Sequence, residues 1–234
     1  MLDQKIAQFS LPRVNGIENA DSISIQKFES NSFCVALADG VGKSSFSPNA
    51  SRVATEIATS MPFNTGIDEI FERARLALID GSSNAQGAVW STTLTICKVS
   101  NLKALVGHVG DSRLYHLRGE GIMTRTRDQT ELQVLLDEGV LSKERAKKYH
   151  RRNVLLSALS SDSVYDLQES SFEIAHGDRI LLISDGVYKQ ILRKEIAALS
   201  TRASSVDLFI SGLKNLLLSR GIVDDSSAVC IEIS

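Results

Sequence analysis

Five aspartates in this chain stand where a carboxylate could be held rigidly and aimed at one point. Asp39 and Asp185 each close a strongly apolar run, and each is followed by glycine (Asp39-Gly40, Asp185-Gly186). Asp111 ends the run ALVGHVG, Asp224-Asp225 stands just before the last apolar run, and Asp21 precedes an alternating segment. A carboxylate at the end of a buried strand is fixed by stiff backbone, and the following glycine lets a cation approach the main-chain carbonyl. Hard divalent cations such as Mg²⁺ or Mn²⁺ take oxygen ligands in octahedral geometry, partly from water. Several aspartates without a His or Cys partner suit that chemistry. Taken singly, Asp-Gly after a strand is a turn signal. Its recurrence at the ends of apolar strands is what points to a metal centre.

The elements that must position these residues can be read from hydrophobic periodicity. Strands are expected at Phe33–Gly40, Ser91–Val99, Ala104–Leu117, Asp178–Gly186 and Ser227–Ile233, with a weaker one at Ser22–Phe28. The second and third form a hairpin turning at Ser100–Lys103. Helical spacing places Val53, Ala54 and Ile57 on one face of Asn49–Met61. It also places Ile67, Ile70, Phe71, Ala74 and Leu78 on one stripe of Gly66–Asp80. Further helices are expected at Glu131–Glu138, Ser142–Tyr149, Lys194–Ser200 and Val206–Ser219. There is no regular βαβ alternation, which argues against a doubly wound parallel sheet. The pattern predicts an α+β fold, antiparallel sheets with helices outside.

Composition excludes other classes. The chain has 234 residues, 26 Lys+Arg against 28 Asp+Glu and a formal net charge of −2, so it lacks a whole-chain basic footprint for nucleic acid. No apolar run approaches the roughly 20 residues of a membrane span, and the N-terminus lacks a signal-peptide pattern. A cytoplasmic protein is expected. Cys34, Cys97 and Cys230 lie far apart in apolar runs and read as reduced core residues, not a zinc knuckle or a disulfide framework. Only three prolines and no low-complexity tract interrupt the chain, so residues 1–234 are expected to form a single domain.

The motifs, in order, resemble those of the metal-dependent protein serine/threonine phosphatases of the protein phosphatase 2C (PPM) type, in their compact bacterial form. Asn19-Ala20-Asp21 resembles the N-E/Q-D segment, and Asp39-Gly40-Val41-Gly42 followed by Ala50-Ser51 resembles DGMGG…AS. Ser91-Thr92-Thr93 resembles the GTT strand start, and Val109-Gly110-Asp111-Ser112-Arg113 is similar to VGDSR. Thr126-Arg127-Asp128-Gln129-Thr130 resembles T-x-D-H-S; Leu181-Leu182-Ile183-Ser184-Asp185-Gly186 and Asp224-Asp225-Ser226-Ser227 resemble LL-x-SDG and DN-x-T. The resemblance implies a four-layer α-β-β-α sandwich, two central sheets flanked by helices, with a binuclear Mn²⁺ or Mg²⁺ centre between the sheets. On that pattern Asp39 bridges both ions, Asp185 and Asp224 complete the first, and the Gly40 carbonyl joins the second, with Asp21 contributing through water. Asp111 together with Asp185 would serve a third, weaker ion. The implied activity is hydrolysis of phosphoserine and phosphothreonine on proteins, reversing a bacterial Ser/Thr kinase. The expected partners are that kinase and its phosphorylated targets, with no nucleic acid and a monomeric state. Residues around 130–163 correspond to a flap beside the site.

The chain departs from the family pattern at several positions. Ala20 replaces Glu or Gln. Gly16 stands where an arginine usually grips the phosphate; Arg13, three residues earlier, is the candidate to replace it. Lys43 and Ser44 replace Gly-His, and Asp225 replaces an Asn. Ala20 and Gly16 are what would favour a silent member acting as a phosphoprotein-binding adaptor; a metal-stabilised structural domain is a third reading. The basic stretch Leu141–Asn153 could steer substrates electrostatically. His108, His116, His150 and His176 show no metal spacing, Trp90 is expected to pack in the core, and Ser157–Ser163 reads as an exposed loop.

Overall fold

In the computed structural model, which describes residues 4–29, 32–42, 45–86 and 88–233, two antiparallel sheets lie face to face. One runs in the order β1 (Gln4–Leu11), β12 (Ser226–Ile233), β11 (Arg179–Ile183), β7 (Arg113–Arg118) and β8 (Gly121–Thr124). The other runs β10 (Gln168–Glu173), β6 (Lys103–Val109), β5 (Leu94–Ser100), β3 (Phe33–Asp39) and β2 (Asp21–Lys27). A short pair, β4 (Ser91–Thr92) with β9 (Leu159–Ser160), stands apart. The expected reading as an α+β sandwich of antiparallel sheets with helices outside holds.

Residue alternation sorts the side chains into three apolar layers. Val35 and Leu37 of β3, Ile180 and Leu182 of β11, and Val229 and Ile231 of β12 meet between the sheets. Ala36 and Ala38 turn the other way, under α1 (Ser47–Ser60) and α2 (Ile67–Asn84). On the opposite side Leu181, Ile183 and Cys230 pack under α7 (Val206–Arg220), beside α6 (Arg193–Arg202). All three cysteines are buried and unpaired. The stripe expected on α2 is its buried face. The face of α1 is different. Ala50, Ala54 and Ala58 with Ser51, Thr55 and Thr59 are buried, while Val53 and Ile57 flank the contact half-buried. Small residues let α1 approach β2 closely enough for Ser22–Thr55 and Ser24–Thr59 hydroxyl contacts of 2.8 and 2.7 Å.

Several expected elements differ. Ser91–Val99 is split into β4, paired with β9, and β5, which lies in the second sheet. The run Ala104–Leu117 is two strands in different sheets, broken at Gly110, whose φ of +109° and close approach to Thr93 (a Cβ would lie 2.5 Å from Thr93 Cγ2) suit glycine alone. Ser142–Tyr149 yields only one helical turn, α4 (Lys143–Ala146), after α3 (Glu131–Asp137). Ser157–Ser163 is not an exposed loop: Ser157 and Ser160 are buried, and Ser160 belongs to β9. The hairpin turn is as expected, with Asn101 and Leu102 both at positive φ. Strands β1, β8 and β10 escaped the periodicity because they lie at or next to sheet edges and bury little; in β10 only Phe172 is buried.

Leu182 is fully buried at the centre of the inter-sheet layer. Leu182→Ala is expected to cost about 2–5 kcal/mol through lost burial and a residual cavity. Thermal unfolding should fall by at least ~4 °C at about 2–4 °C per kcal/mol; a change within 1 °C would contradict this placement.

Candidate metal centre

The strand registers bring the aspartates to one end of the sandwich. Asp21 opens β2 directly opposite Asp39, which closes β3. Thr95 near the start of β5 pairs with Leu37, and Leu94 pairs with Val109 at the end of β6, so Gly110-Asp111-Ser112 crosses to the other sheet at that same end. There Arg113 opens β7 opposite Ile183 at the end of β11, and Ile183 also pairs with Ala228 near the start of β12. Asp185 and Asp224 therefore follow and precede adjacent strand ends. The acids come from both sheets, not from one sheet edge. Asp185 does not sit in a turn: it heads α5 (Asp185–Tyr188), a single helical turn.

Backbone and hydroxyl groups hold this cluster in place. Asn19 Oδ1 accepts from the Asp21 amide at 2.8 Å. Ser184 Oγ, which accepts from the Ser227 amide at 2.9 Å, donates to Asp21 Oδ2 at 2.7 Å and so joins the two sheets. The Asp39 amide donates to Thr93 Oγ1 at 2.9 Å, and the Asp39 carbonyl accepts from Thr93 N at 2.8 Å and Thr92 Oγ1 at 2.9 Å. Gly40 and Gly186 have no room for a side chain: a Cβ would lie 2.3 Å from Ser47 O and 2.1 Å from Asp225 O. Each glycine thus lets a second segment press against the acid beside it.

A family model described as Protein phosphatase 2C matches residues 12–216, which carry Asp21, Asp39, Asp111 and Asp185 in that order. The chain belongs to the protein phosphatase 2C family. It is 24% identical over 211 residues to the serine/threonine phosphatase stp of Listeria monocytogenes, covering 82% of this chain and 83% of that protein. Its fold is shared by the Streptococcus agalactiae serine/threonine phosphatase (TM-score 0.89, 18% identity, 99% of this chain and 100% of that one). The catalytic domain of PstP, crystallised with 2 manganese ions, also matches (TM-score 0.81, 24% identity, 100% and 99% covered).

The electrostatics of this phosphatase-family site are those of unneutralised acid. Burial pushes the Asp21 carboxyl up to about 7, against the Ser184 and Ser227 hydrogen bonds and with help from Asp185 and Asp225. Asp39 is raised well above the usual carboxylate range by burial, then by Asp21, Asp185, Asp111 and Asp224. Asp111 rises to about 6, by burial first and then by Asp185. Asp224 is raised by burial and Asp185. Asp21 Oδ1 is buried with no hydrogen-bond partner. The donors are all oxygen, they repel one another, and one is orphaned, so the residues fit a hard divalent cation. Among the described residues no three His, Cys, Asp or Glu side chains stand close enough together to hold an ion by themselves. Carbonyl and water oxygens would have to finish such a shell, as is usual for Mg²⁺.

Gly16, at φ +84°, is the third residue of a turn in which Ile17 N donates to Val14 O at 3.1 Å. That geometry favours glycine over arginine. The turn leaves Arg13 at the site: its amide donates to Asp225 Oδ1 at 2.6 Å and its guanidinium stands 3.9 Å from Asp224. Asp225 also accepts from Ala20 N at 2.8 Å, so the residue at the family's Asn position anchors this loop at both ends. Lys43 and Ser44 lie outside the described residues. The histidines stand elsewhere: His108 bonds Thr95 and His116 bonds Asp178, each at 2.8 Å. Trp90 packs against Phe46 in the outer layer.

Sequence reasoning missed Tyr188 and Lys189. Tyr188 OH donates to Asp111 Oδ2 at 3.0 Å, and Lys189 Nζ donates to Asp185. The signal available was the i, i+4 spacing of Asp185 and Lys189, which is meaningful only once the segment is known to be helical. Beside them a cleft of about 280 Å³ opens between α5 and the 130–153 segment, lined by Leu132, Leu136, Arg152, Tyr188 and Lys189 among others. Glu131 pairs with Arg151 at 2.7 Å and takes a bond from Tyr149, so the basic stretch is partly neutralised.

A carboxyl raised to about 7 in the fold against 3.8 otherwise destabilises the folded state progressively as pH rises from about 4 to about 7, and by a constant amount above that. Asp21→Asn removes this penalty. With divalent ions chelated, the melting temperature of Asp21→Asn relative to the unsubstituted protein should rise between pH 5 and pH 7.5 by at least ~2 °C. A flat difference across that range would contradict the assignment.

Proposed function

We propose that this chain hydrolyses phosphoserine and phosphothreonine monoesters on proteins at a centre of two Mn²⁺ or Mg²⁺ ions. The observation that carries the reading is the convergence of Asp21, Asp39, Asp185 and Asp224 at the facing ends of two sheets, with Asp21 Oδ1 buried and unpartnered. When bound, such ions lower the pKa of a water and draw charge from phosphoryl oxygens during in-line displacement. Asp39, Asp185, Asp224 and the Gly40 carbonyl would hold the two ions. Asp21, held by Ser184, would contribute to the second site through a water. Arg13 is assigned to the substrate phosphate, which would compete with Asp224 for its guanidinium.

We read residues 1–234 as one such phosphatase domain and the 130–163 segment as its flap. Partners are phosphorylated proteins and the kinase that modifies them. Among the described residues no helix is long and apolar enough to cross a membrane, and the three buried, unpaired cysteines support a cytoplasmic setting. A silent adaptor is disfavoured because Ala20 and Gly16 leave the acid cluster whole: the loop is held by backbone amides on Asp225 and by Gly40 N on Ala20 O at 3.0 Å.

Phosphate release from a phosphothreonine peptide is expected to require Mn²⁺ and to be abolished in Asp39→Asn. Arg13→Ala should lower kcat/KM about tenfold or more, mainly through KM, as loss of one charge-assisted hydrogen bond does. Metal-independent turnover, or equal turnover in Asp39→Asn, overturns the reading.

A further inference from the structure

The Asp111–Asp185 pair already carries a cation supplied by the chain. Lys189 follows Asp185 by one helical turn and donates from Nζ to Asp185 Oδ2. Tyr188 OH donates to Asp111 Oδ2 at 3.0 Å. Tyr188 is itself held in place. The Tyr188 ring lies under the Arg113 guanidinium, 3.7 Å from its centroid. That guanidinium is itself gripped by both oxygens of Asp128 at 2.9 and 2.6 Å. The charge of Lys189 also acts beyond its own partner, opposing the burial that raises the carboxyls of Asp111 and Asp224.

Tyr188 and Lys189 hold Asp111 Oδ2 and Asp185 Oδ2, which leaves a divalent ion shared by the pair at most the other oxygen of each. Such an ion would also meet a like charge at short range in a partly dehydrated site, where repulsion is much stronger than in water. We propose that Lys189 is the resident cation of the Asp111–Asp185 pair, a positioning residue that leaves this chain with two divalent-ion sites and no third. The inference rests on the two-ion reading above. Its consequence is that the charge balance at this edge of the site is built into the polypeptide and does not vary with the concentration of free divalent metal.

The test counts ions. The purified full-length chain is dialysed to equilibrium against millimolar Mn²⁺ and its metal measured by elemental analysis. Ion positions are located by anomalous scattering in crystals grown at the same concentration. Two ions per chain are expected for the unsubstituted protein and for Lys189→Arg. Lys189→Met is expected to bind a third, with an anomalous peak between Asp111 and Asp185 that disappears when Asp111→Ala is added. Thermal unfolding of each variant verifies that it is folded. A third ion between Asp111 and Asp185 in the unsubstituted protein overturns the inference alone, as does a folded Lys189→Met that still binds two. Fewer than two ions in the unsubstituted protein overturns the two-ion reading and the inference with it.

Discussion

Carboxylates that repel one another, held at the meeting ends of two β-sheets, are the constraint around which the rest of this molecule is arranged. A buried acid is costly in its charged form, and a second acid nearby makes it costlier. Here Asp39 feels four others, Asp21, Asp185, Asp111 and Asp224. Left to itself such a cluster would take up protons or push its strands apart. It is kept together because each acid is attached to a strand end whose neighbours are locked by a full ladder of hydrogen bonds and by the Val35, Leu37, Ile180 and Leu182 layer between the sheets.

The polar groups around the acids anchor the backbone and neutralise little of the charge. Thr92 and Thr93 bind the main chain of Asp39, not its carboxylate. Ser184 gives Asp21 one hydroxyl and leaves its other oxygen bare. Gly40 and Gly186 allow Ser47 and Asp225 to close in where any side chain would collide. The exceptions are local: Lys189 on Asp185, Tyr188 on Asp111, Arg13 near Asp224. The uncompensated remainder lies at Asp21 and Asp39, where the proposed divalent cations would gain most from binding.

Much of this was legible in the sequence because strand-end acids leave a local signature. Phe33–Asp39 is uniformly apolar up to its terminal carboxylate, and Ile180–Ile183 is an apolar run that ends two residues before Asp185. What stayed hidden depends on tertiary context. The break at Gly110 could not be seen in ALVGHVGDSRLYHL, since both halves are good strands and only the other sheet's position makes the chain turn. Strand β10 reads QESSFE and acquires its identity solely by pairing with β6. The small-residue face of α1 has no strong hydrophobic period, because closeness to β2 is gained through Ala, Ser and Thr. Tyr188 and Lys189 carried no motif; their meaning came from the helical turn that α5 makes.

Acid repulsion at Asp39 is an instability that binding of the proposed ions would convert into stability. Thermal unfolding of the protein and of Asp39→Asn at pH 7.5, each with chelator and with Mn²⁺, tests it most directly. The two curves should cross: with chelator Asp39→Asn melts above the unsubstituted protein, because one buried acid has gone from the cluster. With saturating Mn²⁺ the unsubstituted protein melts higher, because ion binding stabilises only the state that can hold the ion. An Asp39→Asn variant that is less stable with chelator, or that gains as much from Mn²⁺ as the unsubstituted protein, would contradict it.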